Sequence, residues 1–183
     1  MTLEIFSPAR LAASSGVRRK EMSLLLNQLM QGHNYSRGMR KVELKSKFFE
    51  LSFNVVTMMI AGKRYYGDDV EDAEEARRVR EVMKAGLELC ATSNVGDYLP
   101  VLQWVDFQGL ERKMKGLMKR MDEFLQGLVD GRRNLLSNAA ATGISGTEKK
   151  TVIDNLLSLQ HSEPEIYTDE IIKGIVLENA MNS

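Results

Sequence analysis

Cross-linking and metal-binding side chains are scarce in this 183-residue sequence, which has one Cys and two His. A single Cys excludes a disulfide framework and any zinc or iron–sulfur site built from several Cys. The sequence also has no excess of one charge, since 25 Lys and Arg residues balance 25 Asp and Glu residues. A general nucleic-acid-binding protein normally has a basic excess, so we expect no nucleic-acid partner.

Long apolar runs are absent as well. No stretch approaches the roughly 18 consecutive apolar residues that a membrane span requires. The first residues, Met1–Phe6, do not follow the basic, apolar and small-residue order of a signal peptide. The chain as written is therefore expected to be cytosolic or peripheral.

What the sequence does contain points to helices. Hydrophobic residues make up 43% of the chain, which excludes wholesale disorder. A chain of this length can bury roughly 70% of its unfolded surface in one domain. Only three Pro residues interrupt long stretches rich in Leu, Met, Glu, Lys and Arg, most of which favour helices. We predict an all-α fold.

Apolar residues recur at helical spacing in six segments. These are residues 17–30, 41–61, 73–91, 110–136, 151–159 and 168–177. In the first segment Met22 and Leu25 are predicted to share an inward face, with Glu21 in solvent. The second segment has two apolar stripes, so we expect it to be covered on most sides. The last segment is expected to end at Glu178 and Asn179.

Turn-forming residues mark the predicted ends and connections. Gly32–Asn34 is predicted to stop the first helix, and Asn138–Glu148 is predicted to be a linker. The connection Ser93–Gly109 is unusually apolar and contains the only Trp. Such a loop is either buried or in contact with a ligand, a partner or a membrane surface.

The apolar repeat from Leu110 to Leu128 has two interpretations. Its spacing suits a coiled-coil seam, and it equally suits a long amphipathic helix packed across a globular body. We favour the packed helix, because neighbouring helices are available to cover it. A non-catalytic interaction protein that pairs with another helix through this stripe is the alternative.

No motif in the chain predicts catalysis. Gly143–Thr151 faintly resembles a phosphate-binding loop, but Glu148 stands where the final Gly should precede the Lys. His33 and His161 are far apart in sequence, and no metal site is predicted. Cys90 is predicted to be a small buried hydrophobic residue. The residue patterns alone therefore indicate a soluble helical domain without a recognisable active site.

A family resemblance adds to this interpretation. Lys41–Val56 (KVELKSKFFELSFNVV) and Met59–Gly67 (MIAGKRYYG) resemble plant cytochromes P450, most nearly the isoflavone 2′-hydroxylase-like group. Leu3–Ser7, Gly96–Trp104 and Tyr167–Gly174 agree in collinear order. The resemblance covers nearly the whole chain, and only the last few residues depart from it.

The resemblance implies a partial cytochrome P450 fold, from the end of helix C through helices D, E, F, G and H to the start of helix I. We expect residues 1–177 to form this partial domain and 178–183 to be a divergent tail. Full-length members are haem-thiolate monooxygenases of plant secondary metabolism at the endoplasmic reticulum membrane. They insert one oxygen atom from O2 into an apolar or aromatic substrate, with electrons from NADPH through cytochrome P450 reductase.

The same resemblance implies two groups of contact residues around the connection between helices F and G. The candidates for substrate contact are Leu87, Cys90, Ala91, Asn94 and Leu99. The candidates for membrane contact are Val101, Leu102, Trp104 and Phe107.

The haem-binding signature of the family does not occur in these residues. Its iron ligand is a Cys within a Phe-x-x-Gly-x-Arg-x-Cys-x-Gly loop, and Cys90 has none of that context. We therefore expect no catalytic or metal-ligating residue, no bound haem and no activity from this chain alone. We also expect it to be an internal piece, about a third of a family chain, without the membrane anchor. Apolar surface left uncovered should make it loosely packed and prone to aggregate.

Overall fold

The computed structural model describes residues 12, 14–34, 42–90, 109–142 and 150–181. These ranges contain six α-helices and no strand, which confirms the all-α prediction. The helices are α1 Ser15–Asn34, α2 Leu44–Ala61, α3 Ala73–Cys90, α4 Leu110–Thr142, α5 Val152–Ser162 and α6 Asp169–Met181.

The longest helix, α4, is the centre of the packing. It contacts α2, α3, α5 and α6, and α1 packs against α2 at one side. Leu125, Leu128 and Val129 of α4 are buried against the apolar faces of the short helices α5 and α6. In those helices Ile153 and Ile172 have no exposed surface. The core is therefore assembled from residues that are far apart in sequence.

The repeat from Leu110 to Leu128 is divided along α4. Its second half is used inside the chain, since Met121 and Phe124 pack against the core that contains Leu125 and Leu128. In the first half, Met114 is exposed. The packed-helix interpretation therefore holds for the second half, and pairing with another helix through the whole stripe would require the core to open.

Three helices continue past the residues that were predicted to end them. The helix α1 continues through Gly32, and α4 runs six residues past 136 to Thr142. The helix α6 passes through Glu178 and ends at Met181. Ala139–Ala141 and Glu178 are good helix formers, and packing tolerates a single internal Gly, so none of these residues breaks a helix.

The inward and outward faces of α1 also differ from the prediction. Glu21 is only 2% exposed, whereas Met22 is exposed. The carboxylate of Glu21 forms an ion pair with Arg64, whose Nε lies 3.1 Å from Glu21 Oε1. Since the partner is 43 residues away, local periodicity placed Glu21 wrongly in solvent.

The first two turns of α2 are not covered as predicted. Leu44 is exposed, and the ring of Phe48 is 54% exposed. Further along the helix, Phe53, Val56 and Ile60 do pack in the core. The two-stripe pattern therefore predicts burial correctly only for the second half of α2.

None of the helices in the described ranges has the length and hydropathy that crossing a membrane would require.

Candidate functional site

In sequence, the predicted contact residues run from Leu87 of α3 to Phe107, three residues before α4. Leu87 is 53% exposed on the last turns of α3, and Cys90 is the final residue of that helix. The remaining candidates lie outside the described residues: Ala91, Asn94, Leu99, Val101, Leu102, Trp104 and Phe107. The assignments to substrate or membrane therefore stay predictions.

The helices α3 and α4 approach each other closely beside Leu87. A β-carbon on Gly86 would lie 3.8 Å from Leu117 Cδ2 of α4, which is ordinary van der Waals contact. On the same part of α4, Met114 is 48% exposed and Met118 is 55% exposed. The two helices thus present an apolar surface next to the connection that joins them.

A polar network fixes the chain between α2 and α3. Asn54 Oδ1 accepts hydrogen bonds from the backbone N–H groups of Tyr65 and Tyr66, at 3.1 and 3.0 Å. Arg80 Nη1 donates to the carbonyl oxygen of Tyr65 at 2.9 Å. Its guanidinium carbon also lies 5.7 Å from the centroid of the Tyr66 ring, within reach of a cation–π interaction. These contacts satisfy backbone groups that have no helix partner.

The Tyr65 hydroxyl belongs to a second part of this network. It donates to Glu75 Oε1 at 2.9 Å, and Lys63 Nζ donates to both oxygens of the same carboxylate. Burial, followed by the negative charge of Glu75, raises the pKa of Tyr65 far above its usual range. The hydroxyl therefore stays protonated and serves as a donor, not as a base.

A buried ion pair joins α4 to the start of α5. Arg132 Nε and Nη2 donate to the two oxygens of Asp154 at 2.9 and 2.6 Å. Thr151 caps α5, since its hydroxyl accepts from the Asp154 N–H and its own N–H donates to Asp154 Oδ2. Burial pushes the pKa of Asp154 upward, but the hydrogen bonds from Arg132 and Thr151 outweigh it and lower that pKa.

A carboxylate at the start of α6 is held by three donors. Gln160 Nε2 and Arg133 Nη2 donate to Asp169 Oδ1 at 2.9 and 2.7 Å, and Gln126 Nε2 donates to Oδ2 at 3.0 Å. The hydrogen bond from Gln160, then that from Arg133, lowers the pKa of Asp169 to about 2. Asp169 therefore connects α4, α5 and α6 as a fixed anion.

These networks connect the described helices to one another. Each of the carboxylates described above is engaged by a cation, an amide or a hydroxyl, and Tyr65 is held as a donor. Across the described part of the chain, no group of three or more His, Cys, Asp or Glu side chains is placed to hold a metal ion. The described geometry does not assemble a nucleophile with a base.

Comparison with known proteins was made against family models and curated sequences. No family model matches the chain. The (+)-piperitol/(+)-sesamin synthase of Sesamum radiatum is 43% identical over 175 residues, which are 96% of this chain and 32% of that protein. Cytochrome P450 81E8 of Medicago truncatula is 43% identical over 97% of this chain and 34% of its own length. Isoflavone 2′-hydroxylase of Glycyrrhiza echinata is 37% identical over 96% of this chain and 33% of its own length.

Nearly the whole chain therefore matches one segment of plant cytochromes P450. It spans about a third of the length of the curated relatives it matches. The predicted resemblance is confirmed, including its isoflavone-hydroxylase-like members, and the helical architecture agrees with a partial cytochrome P450 fold.

Full-length cytochromes P450 bind haem iron through a Cys thiolate. The side chains of this chain that could ligate iron, its donor set, can be compared with that requirement. The only Cys, Cys90, ends a helix in the sequence Leu87-Glu88-Leu89-Cys90 and lacks the glycine-containing loop of the family ligand. His161 is exposed in the last turn of α5. The residues present do not fit haem-thiolate ligation.

Sequence reasoning missed the polar networks that hold these helices together. The spacing Thr151-x-x-Asp154 is a recognisable capping-box signal at the start of α5. No comparable signal exists for the pairing of Arg132 with Asp154 or of Glu21 with Arg64. Those partners are 22 and 43 residues apart and meet only in the folded chain.

Proposed function

We propose that these residues are the central helical segment of a plant haem-thiolate monooxygenase. In the complete enzyme, one oxygen atom from O2 is inserted into an apolar or aromatic small molecule. Electrons come from NADPH through cytochrome P450 reductase at the endoplasmic reticulum membrane. The observation that carries this proposal is the identity of 35–43% with curated cytochromes P450, over 96–97% of the chain.

The substrate class is supported by the names of the relatives. Two of them are isoflavone 2′-hydroxylases and one is an isoflavone 3′-hydroxylase. An isoflavone is a flat aromatic molecule, which suits a cavity lined by apolar side chains. Leu87, on the exposed apolar surface at the end of α3, would contact such a substrate, together with Cys90, Ala91, Asn94 and Leu99.

The described helices would position these contact residues. The helix α4 is anchored in its second half by Asp169, Asp154 and the apolar core. Its other end carries the connection to α3, which contains the proposed membrane contacts Val101, Leu102, Trp104 and Phe107. A rigid long helix would thus hold the substrate-facing and membrane-facing residues at a fixed distance from the body of the enzyme.

The segment does not perform the oxygen chemistry by itself. Because its donor set does not fit a haem thiolate, residues outside these 183 must supply the iron ligand. We therefore expect these residues alone to be inactive as a monooxygenase. The division at residue 177, with 178–183 as a divergent tail, also remains part of this proposal.

A segment replacement tests the proposed function. Residues 1–177 would replace the aligned third of the Glycyrrhiza isoflavone 2′-hydroxylase, and the chimera would be assayed with reductase, NADPH and an isoflavone. We expect hydroxylated product, and we expect Leu87→Ala to change KM or the position of hydroxylation. Cys90→Ser tests the ligand assignment in the same chimera, since its haem should keep a thiolate ligand. A folded chimera that binds haem but yields no product from any isoflavone or other aromatic substrate would contradict the proposal.

A further inference from the structure

A cleft lies between α1, α2 and the chain that follows α2. Its lining includes Glu21 and Gln28 of α1, Asn54 of α2, and Arg64 and Gly67 beyond α2. The cleft offers about 20 Å³ to the centre of a water-sized sphere. One bound water needs about 10–15 Å³ on this measure, so the cleft has room for a single water molecule.

Glu21 places a buried carboxylate in the wall of this cleft. Its side chain is 2% exposed, and Arg64 is its cationic partner. Arg64 Nε donates to Glu21 Oε2 at 3.2 Å, while Arg64 Nη1 donates to Asp69 at 3.1 Å. Nε also lies 3.1 Å from Glu21 Oε1, but within the described ranges no donor forms a hydrogen bond to that oxygen. A buried oxygen in this situation is costly, and ordered water commonly satisfies such atoms.

Gln28 offers a second polar partner on the same side of α1. It follows Glu21 by seven residues, close to two full turns, so both side chains lie on one helix face. A β-carbon on Gly67 would stand 3.4 Å from Gln28 Nε2 and 3.3 Å from Arg64 Nη2, which places the amide beside the guanidinium. The amide can donate through its nitrogen and accept through its oxygen. A buried water makes about three hydrogen bonds, and these groups can supply them.

The charge of the lining favours a neutral ligand over an ion. The two anions of the lining, Glu21 and Glu50, are balanced by the two cations Arg64 and Lys47. Lys47 Nζ lies 2.7 Å from Glu50 Oε2, so the second pair is also formed. A bound ion would have to compete with one of these pairs. A water molecule needs no counterion, and it can donate to one group while it accepts from another.

We propose that the cleft binds one water molecule, which donates a hydrogen bond to Glu21 Oε1 and is held in addition by the Gln28 amide. The terminal torsion of a Glu side chain is broad, so the carboxylate can turn toward the water while it stays paired with Arg64. The bound water then links two turns of α1 with the chain that follows α2. It acts together with the Glu21–Arg64 ion pair in holding α1 against α2.

Oxygen-17 relaxation dispersion of the full 183-residue chain tests the proposal, because it counts water molecules that stay bound far longer than surface water. Glu21→Met removes the acceptor oxygen and should lose one long-lived water. Glu21→Gln is the matched control. It removes the same charge but keeps a polar group that water can bind, so it should keep that water. Far-UV circular dichroism establishes that each variant keeps its helices.

A second variant leaves the ion pair in place. Gln28→Leu removes the other proposed partner of the water while Glu21 and Arg64 stay paired, so its result does not depend on how the fold tolerates an unpaired Arg64. We expect it to lose the same long-lived water as Glu21→Met. Asn27→Leu, at the adjacent exposed position of α1, is its control and should lose none.

Three results would overturn the inference. The first is an equal number of long-lived waters in the unmodified chain, Glu21→Met and Gln28→Leu. The second is a thermal unfolding midpoint that rises when tetramethylammonium chloride is replaced by sodium or ammonium chloride at the same concentration, because a small cation would then be the ligand. The third is a crystal structure in which Lys47 donates to Glu21 Oε1 in place of a water.

Discussion

Arg132 and Asp154 form a two-point ion pair in the interior, with Nε–Oδ1 and Nη2–Oδ2 distances of 2.9 and 2.6 Å. The pair joins the middle of the longest helix to the cap of a short one. It lies next to Gly62, where a β-carbon would stand 3.2 Å from Arg132 Nη1. Three helices are thus connected at one buried point.

Removing the negative charge of this pair should destabilise the fold strongly. Asp154→Asn removes the negative charge that faces the buried guanidinium of Arg132, which costs about 3–5 kcal/mol of the free energy of unfolding. Urea denaturation followed by circular dichroism measures the loss. The control is Arg77→Ala, which breaks an exposed ion pair with Glu81 and should cost less than about 1 kcal/mol. Equal losses from the two variants would contradict the structural role of the buried pair.

Replacing Gly with Ala should change the free energy of unfolding in opposite directions at two positions. Gly62 has φ of +71° at the end of α2 and faces Arg132, so Gly62→Ala should cost at least about 1–2 kcal/mol. Gly127 lies within α4 with no atom within 4 Å of a β-carbon, so Gly127→Ala should add about 0.5–1 kcal/mol. Thermal unfolding of the two variants measures both effects. Stabilisation by Gly62→Ala would show that the left-handed conformation is not required there.

Acid should weaken the junction of α4, α5 and α6 through Asp169. Its pKa is lowered from 3.8 to about 2 in the folded chain, so the contribution of the carboxylate is complete above about pH 5. It is lost as the pH falls through about 4 toward 2, because the unfolded state binds the proton more readily. The free energy of unfolding should therefore decline less steeply between pH 5 and 2 in Asp169→Asn. The exposed Asp68→Asn is the control, and an unchanged slope in Asp169→Asn would refute the assignment.

Exposed apolar side chains on α1 and α2 should make the chain bind hydrophobic dye. Phe48→Ser removes an exposed ring, so it should lower dye fluorescence and aggregation while changing stability by less than about 0.5 kcal/mol. Phe53→Ser is the matched comparison on the same helix. It removes a ring that packs in the core and should cost about 3 kcal/mol. If Phe48→Ser left both dye binding and aggregation unchanged, the exposed face would not be their source.

The fold class and the number of described helices follow from local patterns in the sequence. Apolar spacing placed all six helices, because a 3.6-residue period is visible within a few turns. Long-range pairing was not predictable in this way. Glu21 lies among exposed cations in sequence, and only the approach of Arg64 from beyond α2 explains its burial. The exposure of Phe48 was missed for the same reason, since its apolar neighbours predict burial without naming a partner.

The candidate contact residues follow from the family resemblance more than from local sequence patterns. Leu87 is a candidate because the family resemblance places substrate contacts around the connection between helices F and G, and no local motif singles it out. The Thr151-x-x-Asp154 spacing predicts a capping box, but the sequence does not show that Asp154 also pairs with Arg132. Chemistry that depends on distant partners becomes visible only when the helices are packed.

The carbon monoxide spectrum of reduced haem tests the central claim most directly. The 183-residue chain and the chimera that carries its residues 1–177 would be reconstituted with haem under the same conditions. The account predicts the band of thiolate-ligated iron from the chimera, with or without Cys90→Ser, and no such band from the chain alone. A thiolate band from the chain alone, or its loss from the chimera on Cys90→Ser, would contradict it.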